Sequence, residues 1–225
     1  MMSNLFSIFD SNTNNFLELN WLSSIVNIFL IPMIYWTMSS RMIIMFKIIM
    51  MLMYNELKII FKNKFNYLNS IFFISLFLNI LFNNFMGMYP YIFTSSSHLI
   101  FSISYSLPLW ITLMMFLWIN NSNLAFAHMI PQGTPFILMP FMVIIETISN
   151  IIRPLTLSIR LTANMIAGHL LLTLLSENAN SIFLITLIVI FIQIILLILE
   201  FSVSIIQSYV FTILSTLYTK ETNYD

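Results

Sequence analysis

The chain has 225 residues, 60% of them hydrophobic and only 7% charged, with eight basic and eight acidic side chains that cancel. A water-soluble domain carries about a quarter charged residues, so a soluble core is excluded and several apolar helices of about 20 residues are expected. Cysteine is absent, which excludes a disulfide framework, thiol chemistry and Fe–S ligation.

The N-terminus, MMSNLFSIFDSNTNN, is polar with no cationic stretch ahead of an apolar one, so no cleavable signal is expected. Residues 21–38 form an apolar run bracketed by Trp21 and Trp36, which predicts a spanning helix with interfacial aromatic anchors. The segment 41–64 follows and holds five of the eight basic residues. At 100° per residue Arg41, Lys47, Asn55, Lys58 and Lys62 fall within an arc of about 120°, the pattern of a helix lying in the membrane surface. A further spanning helix with snorkelling lysines is the alternative. The positive-inside rule puts this basic segment on the matrix or cytoplasmic side and the N-terminus on the other.

Residues 69–86 are predicted to cross back, carrying Asn79, Asn83 and Asn84, polar groups that need partners inside a bundle. After the loop GMYPYIFTSSSH, residues 99–118 cross again, kinked or broken near Pro108. The stretch NNSNLAFAHMIPQGTP reads as a loop. Two long apolar segments remain, 135–175 and 181–219, joined by the break SENAN. A helix of about 40 residues is roughly 60 Å long, twice the thickness of the hydrocarbon layer. Either each segment is broken, with Pro154 the obvious place, or the pair forms a steeply tilted, near-horizontal hairpin; the hairpin is the favoured reading. The fold class is thus an all-α integral membrane protein in a single membrane domain.

Arg153 and Arg160 lie inside the first long segment. A charge at membrane depth costs roughly 3 kcal/mol on insertion scales and more in simulations, so each asks for a reason. With Arg160 at 0°, Arg153 falls at about 20°, Glu146 and Asn164 at about 40°, and the small residues Ser149 and Ala167 at about −20°. Small residues admit a close neighbour, so Arg160 is expected to face an apposed partner and not lipid. Arg153 is open to an electrostatic or a structural reading. His169, at about 180°, joins Ser158 and Thr162 in a second polar stripe. On the last segment Thr186, Gln193, Glu200 and Gln207 recur every seven residues. Together these stripes can form a hydrated seam of titratable groups, as a proton path requires. The seam lacks the cluster of acidic and hydroxyl ligands suited to Na⁺, which favours the proton. Glu177, His98 and His128 sit in loops and are assigned no role. No metal or cofactor site is expected.

The run ETISNIIRPLTLSIRLTANMIAGHLL, residues 146–171, resembles the a-subunit family of rotary F-type ATP synthases, and ILEFSVSIIQSYVFTIL, residues 198–214, resembles that family's second signature. NNFMGMYPYIFTSSSHL and the opening MMSNLFSIFD are similar to insect mitochondrial versions. Abundant Met (17) and Phe (22) against Gly (3) fit an AT-rich animal organelle genome. The resemblance covers essentially the whole chain. It implies a non-catalytic, proton-translocating stator subunit of the mitochondrial inner membrane, its long hairpin wrapped around a ring of c subunits. It implies peripheral-stalk and other membrane subunits as further partners, and no nucleic acid. It places the essential arginine at Arg160 with Asn164 beside it, proton-path positions at His169, Glu200 and Gln207, and the matrix-side carboxylate at Glu146. Arg153 matches a position that is not basic throughout the family. The basic segment and C-terminus would face the matrix, the N-terminus the intermembrane space.

Three rival functions are weaker. A proton-pumping subunit of a respiratory complex typically aligns lysines in broken helices, and this chain has none between Lys64 and Lys220. A haem subunit needs paired axial histidines, whereas two of the three histidines are in loops. A plain membrane anchor gives no reason for Arg160.

Overall fold

The computed structural model describes residues 5–13, 17–32, 35, 38–61, 67–89, 91–120, 122–130, 135–177 and 183–222. Among these there is no strand, and the chain is an all-α integral membrane protein. The helices are α1 (Ser23–Val26), α2 (Arg41–Ile60), α3 (Tyr67–Gly87), α4 (Leu99–Asn120), α5 (Ser122–His128), α6 (Met139–Glu177) and α7 (Phe183–Thr222). Among the described residues, four helical stretches are long and apolar enough to cross a membrane: Asn69–Gly87, Leu99–Asn120, Phe136–Glu177 and Thr186–Thr222.

The first apolar run differs from the expected span of 21–38. Helix α1 is a single turn flanked by 3-10 turns, and the helical stretch is confined to Leu19–Leu30. Pro32 explains the stop. The residue before a proline is driven out of the helical region, and Ile31 is extended, at φ −72 and ψ 118. Trp36, the expected second anchor, lies outside the described residues, as does Lys62 of the basic arc. The described cations of that arc, Arg41, Lys47 and Lys58, are exposed on α2. The opposite side of α2 packs Met53, Leu57 and the following Phe61 against Phe73, Ile74, Phe77 and Leu78 of α3.

Prolines do not interrupt the later helices. Pro108 lies within α4 and Pro154 within α6, and both helices continue through them. The stretch expected to be a loop after residue 120 contains α5, where Leu, Ala, Phe and Ala are adequate helix formers. Ala125 is buried and Phe126 meets Trp118 edge-on at 5.0 Å.

The central core joins Leu76 and Ile80 of α3, Leu157 and Leu161 of α6, and Phe211 of α7, with Tyr105 and Leu109 of α4 packed against them. The inward side of α7 is lined with hydroxyls rather than large apolar groups: Ser204, Ser208, Thr212, Ser215, Thr216 and Thr219 are all buried. Each bonds a carbonyl of its own helix three or four residues back. Satisfied in this way, they remain small enough for α3, α4 and α6 to pack closely on α7. The outward side is the reverse, with Phe191, Ile198 and Leu199 well exposed. An apolar mantle of this extent belongs in lipid, not water.

Candidate functional site

Burial divides α6 into two faces. Leu157, Ser158, Leu161, Thr162 and Met165 are buried in the bundle, while Arg160, Ala163, Asn164 and Ala167 are exposed on the opposite side. The outward face therefore carries one guanidinium framed by small residues, exposed among the described residues. Arg160 makes no ion pair with any described carboxylate.

Arg153 shares that angular sector but has a different environment. Its Nη1 donates to Glu221 Oε2 at 2.8 Å and its Nη2 lies 3.6 Å from Glu146 Oε1. The Tyr218 ring centroid is 5.4 Å from the guanidinium carbon. Two acidic groups and an aromatic face hold this arginine, and two of the three come from the end of α7. The two arginines thus part company: Arg153 ties α6 to α7, and Arg160 has no ion pair among the described residues.

A cavity of about 240 Å³ surrounds that cluster, lined by Glu146, Asn150 and Arg153 of α6, Tyr218 and Glu221 of α7, and Trp110 of α4. The Trp110 indole N–H is buried there without a partner among the described residues. Further along α6 a second cavity, of about 370 Å³, is lined by Asn164, Gly168 and His169 of α6, Glu200 and Gln207 of α7, and Met88 just past α3. Gly168 makes it possible. A Cβ at this position would collide with the Glu200 carboxylate, lying 2.7 Å from its Cδ, so the acid fills the notch left by the glycine. Glu200 Oε1 is buried with no hydrogen-bond partner among the described residues. His169 is half-buried, and Phe9 of the N-terminal segment meets its ring edge-on at 6.4 Å.

The residues singled out from the sequence therefore fall into three places. Asn164, His169, Glu200 and Gln207 share the larger cavity, Glu146 and Arg153 share the smaller, and Arg160 stands between them on the open face. Ser158 and Thr162 do not join a polar seam; both are buried and spend their hydroxyls on carbonyls of their own helix. Glu221 and Tyr218 are the members of the Arg153 cluster that sequence reasoning missed. A signal existed for the first, since Glu221 continues the seven-residue rhythm of Gln193, Glu200 and Gln207 two repeats further on.

Fold and site together define the class: an all-α membrane protein whose two long helices place Glu146, Arg153, Glu200 and Glu221 at two cavities and leave Arg160 exposed. A family model described as ATP synthase A chain matches residues 18–220. The chain is 54% identical to ATP synthase subunit a of Drosophila melanogaster, over 99% of this chain and all of the relative. It is 54% identical to that of Locusta migratoria, over 98% and 99% of the two chains, and 52% identical to that of Anopheles gambiae, over 99% and 100%. The chain belongs to the ATP synthase A chain family, in its insect mitochondrial branch.

Proposed function

We propose that this chain is the proton-translocating stator subunit of a rotary F-type ATP synthase, supplying two proton half-channels and the arginine that opposes the carboxylate of a rotating c ring. The observation that carries the reading is the position of Arg160 between the two cavities. Along α6 it lies seven residues beyond Arg153 and four before Asn164, about 10 Å and 6 Å along the axis. It is exposed and makes no ion pair with a described carboxylate, whereas Arg153 is half-buried in its cluster and Asn164 borders the larger cavity.

Protons arrive from the intermembrane space in the cavity of His169, Glu200 and Gln207 and pass to a c-ring carboxylate. Neutralised, that carboxylate enters lipid without the penalty of a buried ion. After nearly a full turn it meets Arg160 from the other side and gives up its proton toward Glu146 and the matrix. Arg160 favours the ionised carboxylate by attraction in a low-dielectric setting. It also separates the half-channels, because a guanidinium is permanently protonated and cannot relay. The membrane potential supplies about 2.3 kcal/mol per proton per 100 mV. The subunit makes and breaks no covalent bond other than O–H and N–H, and is not itself catalytic.

The same reading lays α6 and α7 at a steep tilt, sets the basic α2 and the C-terminus on the matrix side of the mitochondrial inner membrane, and sets the N-terminus in the intermembrane space. Arg160→Ala is expected to abolish coupled ATP synthesis in complexes that still assemble. Synthesis at the normal rate would overturn the assignment.

A further inference from the structure

The larger cavity is walled by α6, α7 and Met88, but the ring that meets His169 comes from another part of the chain. Leu5–Phe9 form a 3-10 turn that packs against α6. Such a turn has three residues per revolution, so Phe6 and Phe9 share one side of it. Phe9 is half-buried, and Phe6, one revolution earlier, is 65% exposed. The Phe9 and His169 ring centroids lie 6.4 Å apart with the planes at 83°. That is a T-shaped pair within the distance at which aromatic rings attract beyond their buried area. Phe9 does not line the cavity, so it meets the imidazole from outside it.

The turn is tied down at its far end. Asn20 Nδ2 donates to the Asp10 carbonyl at 3.2 Å. Thr13 donates twice to the Leu17 carbonyl, from its backbone N–H at 3.2 Å and from its hydroxyl at 2.7 Å. Asn20 belongs to the turn Leu19–Leu22, whose Trp21 packs edge-on against Phe93 at 5.7 Å. The segment is therefore a strap. One end is fixed to the helical stretch Leu19–Leu30, and the other rests on His169.

An imidazole turns about two side-chain bonds, and its two ring nitrogens are distinct. A proton station must present the same nitrogen to its neighbour from one transfer to the next, because a ring that swings away takes its proton with it. We propose that Phe9 is a positioning residue for His169, and that the strap holds the imidazole in the orientation that serves the cavity of Glu200 and Gln207. A benzyl side chain suits the task. It restrains another ring through its edge and face, and it has no donor or acceptor with which to divert a proton. Phe9 itself takes no part in the transfer. The inference rests on the reading of this cavity as the proton inlet.

Passive proton conduction per assembled complex tests it. Phe9→Leu and Phe9→Met keep an apolar side chain without the ring, and each is expected to slow conduction about fivefold, the worth of one aromatic pair. Phe9→Tyr keeps the ring and is expected to conduct normally, as is Phe6→Leu at the exposed end of the same turn. His169→Gln is expected to slow conduction by itself, and Phe9→Leu added to it is expected to slow it no further. The inference is overturned if Phe9→Leu and Phe9→Met conduct normally, or if Phe9→Tyr or Phe6→Leu is as slow as they are. It is overturned equally if Phe9→Leu slows the His169→Gln complex by the same factor as the native one. Failure of both Phe9→Leu and Phe9→Met to assemble would overturn it too, since the strap would then serve the fold and not the imidazole. If His169→Gln itself conducts normally, it is the reading of the cavity as the inlet that has failed.

Discussion

Two arginines seven residues apart on one helix illustrate how little angular position says about duty. At the sequence level they occupy nearly the same face, and both carry the cost of a charge in an apolar helix. The structure spends that cost differently. Arg153 is answered within the chain by Glu221, Glu146 and Tyr218, whereas Arg160 makes no ion pair with any described carboxylate. Helical phase made the second outcome legible, because an arginine framed by Ala163 and Ala167 asks for a neighbour. The first was not legible, because its partners lie 68 and 65 residues away at the end of α7 and periodicity on one helix cannot name a partner on another. The contrast predicts separable phenotypes. Arg153 and Glu221 are 30% and 55% exposed, and partly exposed ion pairs contribute about 1 kcal/mol or less. Arg153→Gln is therefore expected to lower the thermal dissociation midpoint of the complex slightly and to leave much of ATP synthesis intact. Should it abolish coupling in assembled complexes, as Arg160→Ala is expected to, Arg153 belongs to the essential machinery and its role as a tie is wrong.

At the scale of elements, the long helices were legible from length alone and the short ones were not. Residues 135–175 and 181–219 were read as two apolar stretches too long to stand upright, and α6 and α7 run unbroken for 39 and 40 residues. Hydropathy over residues 21–38 does not register the extended conformation that Pro32 imposes on Ile31, and the polar composition around α5 hides a helix of seven residues. The polar stripe of α7 was visible, but which face of α6 it meets is decided by a single small residue. Gly168 lets Glu200 approach the α6 backbone, and any side chain there would occupy the space of the carboxylate. Gly168→Ala is expected either to part α6 from α7 or to turn the Glu200 carboxylate out of its cavity. Overpacking of a tight contact costs about 1–3 kcal/mol, so fewer complexes should assemble and those that do should conduct protons poorly. Passive proton conduction per assembled complex measures this; a normal value would show that the notch has no bearing on Glu200.

The whole molecule is organised by a mismatch of lengths. Helix α6, at 39 residues, is about 58 Å long, and the hydrocarbon layer is about 30 Å thick. Ordinary tilts near 20° leave most of that excess outside the layer, yet the helix is apolar along its outer face, with Ile144, Ile151, Leu155 and Leu171 exposed. Pro154, the residue most able to break it, does not. The proposed tilted hairpin answers this mismatch: an axis about 60° from the membrane normal would bring the ends of an unbroken α6 to the two interfaces. On the proposed function, that tilt would let one helix present a cavity to each side of the membrane, with Arg160 between them. It can be measured. Leu155 and Leu171 are separated by about 24 Å along the axis, and the cysteine-free sequence allows a single spin label in this subunit at either position. Depth-dependent quenching in the reconstituted complex is expected to place the two labels only about 12 Å apart along the membrane normal. A depth difference near the full axial separation would mean an upright helix, and the tilted hairpin would have to be abandoned.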